Sequence, residues 1–192
     1  MNLAPDDPFC KMHGWMAHVF VHEAAHAVAA VDKGIEFTHL EITSPYDWQV
    51  RKGNEVTLGG LHLSGPPSWP ETPAAVAALE MAMAGVLAET VFYDHQLAGD
   101  SGTGDMRMWM NGAGLIGHPE GPAAIEKLLD TSVASLTART KAWVYEEQRR
   151  IRAVATALSG TNDGPNVRLV PYSNGPWRLE ADDVRSAAGS PL

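Results

Sequence analysis

Residues 21–28 read V-H-E-A-A-H-A-V, and this stretch decides how the chain is interpreted. Apolar residues recur three and four positions apart over residues 14–32, which predicts a helix, and Gly34 follows where a C-cap glycine belongs. Side chains four residues apart lie on the same face of a helix. His22 and His26 are therefore expected to converge on a single metal ion.

Glu23 completes the pattern H-E-x-x-H, which in metallopeptidases binds zinc through its two histidines. Its side chain is offset around the helix, so the carboxylate can reach a water on the ion without being a ligand. Zinc lowers the pKa of such a water towards ~7, and a nearby carboxylate accepts the proton as general base. The motif predicts a zinc-dependent hydrolase that uses one ion.

A catalytic zinc has three protein ligands and one open position, so a third ligand must come from elsewhere in the chain. His18 lies one turn before His22, but it would be about 12 Å from His26 along the helix axis and could not complete a tetrahedral site. We expect it to lie behind the site or to be partly exposed. Spacing alone leaves six residues open as the third ligand: Glu80, Glu89, His95, Asp100, Asp105 and His118.

The composition is that of a folded soluble protein, with 45% hydrophobic and 19% charged residues. The net charge of −9 and the lack of a Lys/Arg cluster argue against nucleic acid or an anionic membrane as partner. A single cysteine, Cys10, excludes an internal disulfide and a cysteine-based zinc site. The apolar stretch 72–92 carries Glu80 and Glu89, which favours a buried helix over a membrane span. The sequence has no signal-peptide pattern, so a cytoplasmic location is expected.

The order of the elements predicts a mainly helical α+β domain with a small β-sheet. We expect a single domain over residues 1–192, with flexible ends at 1–12 and 188–192. After the first helix, the predicted elements are strands at 37–43 and 56–63, helices at 73–96, 105–116 and 122–159, a short strand at 167–170 and a helical turn at 181–187. The pair Gly59-Gly60 suggests a bulge in the second strand.

Three short segments occur in a characteristic order and at characteristic spacings. They are H-E-A-A-H-A-V at 22–28, A-G-V-L-A-E at 84–89 and S-G-T-G-D-M at 101–106. They resemble the HEAGHA(V/L), A-G-x-x-A-E and (T/S)-G-A-x-N-D-(L/I) segments of FtsH-type zinc peptidases, the protease half of membrane-anchored AAA+ machines. Weaker similarity extends over the two strands and to L-E-A-D-D-V at 179–184, and so covers most of the chain.

The resemblance implies a zincin-like helical peptidase domain that binds one zinc ion through His22, His26 and Asp105. Asp105 becomes the third ligand because it matches the position of the family's ligand aspartate, and Glu23 is implied as the general base. Glu89 is the runner-up ligand, and we expect it instead to hydrogen-bond a ligand imidazole and fix its tautomer. The implied reaction is hydrolysis of peptide bonds by a metal-activated water, in peptides or in unfolded protein segments.

The sequence also departs from that family. We find no ATPase module, no Walker P-loop and no transmembrane anchor, so we expect hydrolysis that does not itself use ATP. Ala25 stands where the family has glycine, and Gly104 where it has asparagine. Assembly as a homo-oligomer, or with a separate unfoldase, is compatible with these differences.

Two other functions remain open on the sequence alone. One is a non-catalytic, zinc-stabilised interaction or regulatory domain, and the other is a small-molecule amidohydrolase that uses the same water chemistry. The presence of Glu23 argues against the first, since a structural zinc does not need it. For a peptide substrate, the strand at 56–63 is expected to offer an edge to which an extended segment can add.

Overall fold

The computed structural model describes residues 7–42, 59–94, 102–118, 122–161 and 176–189. Across these ranges the chain is mainly helical with a small three-stranded antiparallel sheet, which confirms the predicted α+β class. The helices are α1 (Pro8–His13), α2 (Met16–Lys33), α3 (Thr72–Tyr93), α4 (Thr103–Gly112), α5 (Pro122–Leu129), α6 (Val133–Gly160) and α7 (Ala181–Ala188). The strands are β1 (Phe37–Ile42), β2 (Gly59–Leu63) and β3 (Trp177–Glu180).

Helix α2 runs through the centre of the structure. All fifteen residues from Met16 to Ala30 are buried, because α3, α6, α7 and the sheet surround the helix. Close packing on every side requires small side chains, and Ala24 and Ala25 have no exposed surface. Gly34 follows the helix in the left-handed conformation, with φ 66°, and confirms the predicted C-cap.

Helix α3 packs along α2 and is apolar over its whole length. Its mean hydropathy of 1.6 would suit a membrane span, but 67% of the apolar window is buried inside the fold. The helix contributes to two apolar clusters, one shared with α2, α6, α7 and the sheet, the other shared with α4, α5 and α6. In the second cluster Trp109 is fully buried, and its indole N–H donates to the carbonyl of Ala75 at 2.8 Å.

The sheet has the strand order β2-β1-β3, with β1 antiparallel to both neighbours. Strand β3 was not predicted; it buries Trp177 and Leu179 on alternate positions against the core. The short strand predicted at 167–170 lies outside the described residues.

The ladder between β1 and β2 contains one irregularity. An extra residue, Thr38, lies in β1 between the residues that pair with Leu63 and His62. The predicted bulge at Gly59-Gly60 is wrong, because both glycines pair in register with β1. Gly59 is required for a different reason, which involves the side chain of Glu23.

The helix predicted at 122–159 is in fact two helices, α5 and α6. Asp130 adopts φ 52°, a left-handed conformation that interrupts the helical run. Ser132 then starts α6, since its hydroxyl accepts a hydrogen bond from the amide of Ser135 at 3.1 Å. The helix predicted at 105–116 also differs: it begins at Thr103 and ends at Gly112.

The N-terminal segment predicted to be flexible contains α1. The Asp7 carboxylate accepts a hydrogen bond from the amide of Phe9 at 2.8 Å and two more from the guanidinium of Arg152 in α6. Arg152 also lies 4.9 Å from the centre of the buried Phe9 ring. These contacts join the N-terminal end of α1 to α6, within the segment 1–12 that was expected to be flexible. At the other end, Ala188 is buried and belongs to α7.

Candidate metal centre

Three side-chain atoms from two helices converge beside the middle of α2. The Nε2 atoms of His22 and His26 lie 3.0 Å apart, and each lies 3.3 Å from Oδ2 of Asp105 in α4. Ligand atoms at 2.0–2.1 Å from a tetrahedral zinc ion would be about 3.3–3.4 Å from one another. The two sides of the triangle that meet at Asp105 match this spacing, the side between the imidazoles is shorter, and the group could hold a metal ion.

The hydrogen bonds on the far sides of the two imidazoles fix their tautomers. Nδ1 of His22 lies 2.5 Å from Oε1 of Glu89, and Nδ1 of His26 lies 2.7 Å from the carbonyl oxygen of Met81. A carboxylate and a carbonyl accept hydrogen bonds, so both Nδ1 atoms carry the proton. Both Nε2 atoms then direct lone pairs towards each other and towards the carboxylate of Asp105. Three acceptor atoms that face one another repel, and a cation between them would remove this repulsion.

The electrostatics of the site favour positive charge. Burial opposes protonation of His22, but its hydrogen bonds to Asp105 and Glu89 outweigh this effect and raise its pKa to about 10. Burial would raise the pKa of Asp105, yet the neighbouring His26 and His22 hold it well below its ordinary value. Both shifts have one cause, the attraction between the Asp105 carboxylate and positive charge on the neighbouring imidazoles.

Gly85 of α3 allows the two imidazoles to approach. A Cβ atom at this position would lie 2.5 Å from Nε2 of His26 and 2.6 Å from both Cδ2 and Nε2 of His22. Any side chain would collide with the donor atoms, so the glycine of the A-G-V-L-A-E segment is required by this close contact. The segment was recognisable from its sequence, but the role of its glycine was not, because that role depends on helix α2 packing against it.

Asp105 reaches the site from the first turn of α4. Gly102 precedes this helix with φ +85°, a left-handed conformation that suits glycine, and occupies the N-cap position. Asp105 is the third residue of the helix and so is not its N-cap. Its side chain is 29% exposed, whereas those of His22 and His26 are 11% and 5% exposed. The Asp105 side is therefore the least buried part of the centre.

Glu23 lies beside the centre without joining the triangle. The residue is 6% exposed, and no described group hydrogen-bonds its Oε2 atom. Burial raises the pKa of this carboxyl more than the nearby His22 and His26 lower it. A Cβ on Gly59 would lie 2.8 Å from Oε1, so the backbone of β2 covers the carboxylate closely. This contact explains why a glycine occupies the start of β2.

Three of the other residues left open as ligands are described, and none of them joins the converging group. Glu80 is buried on α3 away from it, between Lys33 at 2.6 Å and Arg139 at 2.5 Å. His118 is exposed beyond the end of α4. Glu89 touches His22 from behind, as the resemblance implied, and is not one of the three converging residues. The remaining two, His95 and Asp100, lie outside the described residues.

His18 is buried one turn before His22. Its ring stacks on that of Tyr93, with centroids 3.7 Å apart and planes 19° from parallel. His18 is therefore buried, and the alternative that it is partly exposed is wrong.

Comparison of the sequence with models of protein families finds no family that matches the chain. Comparison with curated proteins likewise finds no matching relative. The case for a function therefore depends on the side chains described above and on the chemistry that they can support.

Proposed function

We propose that this chain is a zinc-dependent metallopeptidase that binds one zinc ion through His22, His26 and Asp105. One observation carries the proposal: three acceptor atoms converge at zinc-ligand spacing, beside a buried carboxylate that is not among them. Two imidazoles, neutral once an ion takes the place of the proton at Nε2, and one carboxylate form a donor set found in catalytic zinc sites, in which the fourth position stays open. The exposure of Asp105 supports an opening on that side of the centre.

Each residue has a distinct role in the proposed reaction. Zinc bound here would supply Lewis acidity, which lowers the pKa of a water at its open position. Glu23 accepts a proton from the attacking water on Oε2, the oxygen that has no described partner. It then donates this proton to the nitrogen of the peptide bond that breaks.

Glu89 and Met81 act as positioning residues. Their hydrogen bonds hold the imidazoles of His22 and His26 with both Nε2 atoms directed inward. Hydrogen bonds of this kind fix the orientation of a ligand imidazole and so favour metal binding.

The proposed substrate is a peptide bond in a peptide or in an unfolded protein segment. The resemblance of the three motifs to FtsH-type peptidases supports this choice. In the described sheet β2 is an edge strand, and its Gly59 touches Glu23. An extended peptide added to this edge would therefore run past the carboxylate. A purely structural zinc site has no use for such a buried acid, which argues against the regulatory alternative.

Hydrolysis of a fluorescently labelled unfolded protein tests the proposal. The zinc-loaded chain should cleave it, a chelator should stop cleavage, and added zinc should restore it. Glu23→Gln keeps the size of the side chain but removes the base, so we expect about one zinc per chain and at least about 10²-fold slower hydrolysis.

Glu36→Gln is the matched control for this variant, because the Glu36 side chain is 76% exposed and contacts Arg185 instead of the centre. It should hydrolyse at the original rate. Full activity of Glu23→Gln would show that Glu23 is not the base, and hydrolysis that survives complete removal of zinc would refute the metallopeptidase.

A further inference from the structure

The outer face of the sheet carries a second pair of histidines. His39 of β1 and His62 of β2 are cross-strand partners, and their rings stack with centroids 4.0 Å apart and planes 13° from parallel. Leu40 and Ile42 alternate with His39 along β1 and are buried, so the pair lies on the face turned away from the core. Neither histidine belongs to the converging group at the metal centre.

Thr38 fixes the tautomer of His39. The hydroxyl of Thr38 donates a hydrogen bond to the carbonyl oxygen of His62 at 3.1 Å. A hydroxyl has only one proton, so the same oxygen accepts from Nδ1 of His39, which lies at 2.9 Å. Nδ1 of His39 therefore carries the ring proton, and the lone pair that a metal ion can use is on Nε2.

This lone pair lies near a carboxylate. Nε2 of His39 is 3.9 Å from Oε2 of Glu41, which is two residues further along β1 on the same face. Two ligand atoms bound to one ion at 2.0–2.2 Å are about 3–4 Å apart, and the observed distance lies in this range. Gly60 is the cross-strand partner of Glu41, and a Cβ there would meet no atom within 4 Å. The space beside the carboxylate is therefore open.

Strand β3 surrounds this group with one cation and one further acid. Arg178 donates to Glu180 at 2.7 Å, and its Nη1 lies 3.9 Å from Oε2 of Glu41. Burial, His62 and Arg178 together hold the pKa of His39 below its ordinary value, although the two glutamates raise it. The His39 ring is therefore neutral at pH 7, which is the form that binds a metal ion.

We propose that His39, Glu41 and His62 form a second metal site, on the outer face of the sheet, for a divalent transition-metal ion such as Ni²⁺, Cu²⁺ or Zn²⁺. Imidazole ligands suit all three ions. His39 and Glu41 are in place, and His62, which is exposed, completes the site by turning its ring out of the stack. The bound ion joins β1 to the edge strand β2. The site uses none of the residues of the proposed reaction and does not rest on it.

Calorimetric titration of Ni²⁺ into the zinc-loaded chain tests the proposal. We expect one Ni²⁺ to bind per chain while metal analysis still finds one zinc. Ni²⁺ that binds only as zinc leaves would belong to the metal centre, and this result, or no binding, would overturn the proposal. A chain that holds no zinc but binds one Ni²⁺ through His62 would support the second site and refute the metallopeptidase.

A matched pair of histidine variants locates the ion. Loss of a ligand costs at least as much as loss of a ligand's hydrogen-bond partner, so His62→Gln should weaken Ni²⁺ binding at least about tenfold. His118→Gln removes a histidine that is exposed beyond the end of α4, and should bind Ni²⁺ like the original chain. Equal affinities of the two variants would overturn the proposal.

A second pair of variants tests the carboxylate. Glu41→Gln should also weaken Ni²⁺ binding at least about tenfold, because an amide is a poorer ligand than a carboxylate. Glu180→Gln removes the other acid of this face, whose side chain is 57% exposed and pairs with Arg178, and should change the affinity less than about twofold. A larger loss in Glu180→Gln than in Glu41→Gln would overturn the proposed ligand set. This pair also decides the question if circular dichroism shows that His62→Gln is misfolded.

Thermal unfolding provides a readout that does not depend on calorimetry. At a hundredfold excess over its Kd, Ni²⁺ should raise the Tm of the zinc-loaded chain by roughly 5–11 °C. The same Ni²⁺ concentration should raise the Tm of His118→Gln equally and that of His62→Gln much less. An equal rise in all three chains would place the ion elsewhere and overturn the proposal.

Discussion

Oε1 of Glu89 lies 2.5 Å from Nδ1 of His22, although the two residues are 67 positions apart in the chain. The contact is buried, with the Glu89 side chain only 2% exposed. It joins the C-terminal part of α3 to the middle of α2 and fixes which nitrogen of the imidazole faces Asp105. Glu89 therefore affects the metal site through the orientation of His22 and without a ligand bond of its own.

Substitution of the two acids should separate these roles. We expect Asp105→Ala to lose tightly bound zinc outright, because one of three ligands is removed, and Glu89→Ala to weaken binding by roughly 10–100-fold. Glu80→Ala is the control, since Glu80 is also a buried acid of α3 but pairs with Lys33 and Arg139. It should lower stability and leave zinc affinity unchanged. Metal analysis after dialysis measures all three, and the reverse ranking of Asp105 and Glu89 would make Glu89 the ligand.

Gly85→Ala tests the close packing of the imidazoles. The added Cβ would lie 2.5–2.6 Å from the two rings and must push them apart, so zinc affinity should fall by at least about 10-fold. Gly104→Ala, next to Asp105, is the control because a Cβ there meets no atom within 4 Å. That change should keep zinc affinity and add up to about 1 kcal/mol of stability through helix propensity. Competition with a chromophoric chelator measures the affinities; equal zinc binding by both variants would contradict the account of Gly85.

Gly59→Ala should reduce hydrolysis while zinc stays bound. Its Cβ would lie 2.8 Å from Oε1 of Glu23 and displace the carboxylate, and displacement of a catalytic group by about 1 Å can cost 10²-fold in rate. In Gly60→Ala the added Cβ meets no atom within 4 Å, so its rate should stay within about twofold of the original. The rate of hydrolysis and the zinc content should be measured for both variants. Loss of activity in both variants would point to damage of β2 as a whole.

Removal of zinc should destabilise the fold without abolishing it. An ion that binds only the folded state contributes about 4 kcal/mol at a thousandfold excess over its Kd, which corresponds to roughly 8–16 °C in Tm for a chain of this size. The two apolar clusters do not depend on the ion, so helical circular dichroism should persist at 25 °C after chelation. Complete unfolding on chelation would instead favour a structural zinc.

The features predicted correctly depend on residues that are close together in sequence. The spacing of His22 and His26 and the cap at Gly34 are properties of a single helix, and one segment suffices to predict them. The convergence of Asp105 with the histidines spans 83 residues, and spacing alone left five alternatives to it. Only the resemblance to a known family selected this aspartate.

The features that were missed depend on contacts between segments or on weak local signals. Gly85 is required because two imidazoles pack against it, and Gly59 because the Glu23 carboxylate does. A single glycine in a sequence does not indicate which distant residue will pack against it. The break between α5 and α6 occurs at Asp130, where no glycine or proline marks the left-handed residue. Strand β3 has four residues, too few for alternation to be recognised.

Burial of α2 over fifteen consecutive residues has a consequence for how this chain can diverge. An amphipathic helix accumulates neutral changes along its solvent-facing stripe, every three to four residues. Between Met16 and Ala30 no such stripe exists, so accepted changes are confined to swaps of similar volume on every face. Descendants of this chain would therefore share the whole segment, including faces that never approach His22 or His26. An invariant residue in this segment would therefore indicate close packing and not necessarily function. The functional positions would be recognised only by the convergence of their side-chain atoms, as for His22 and His26.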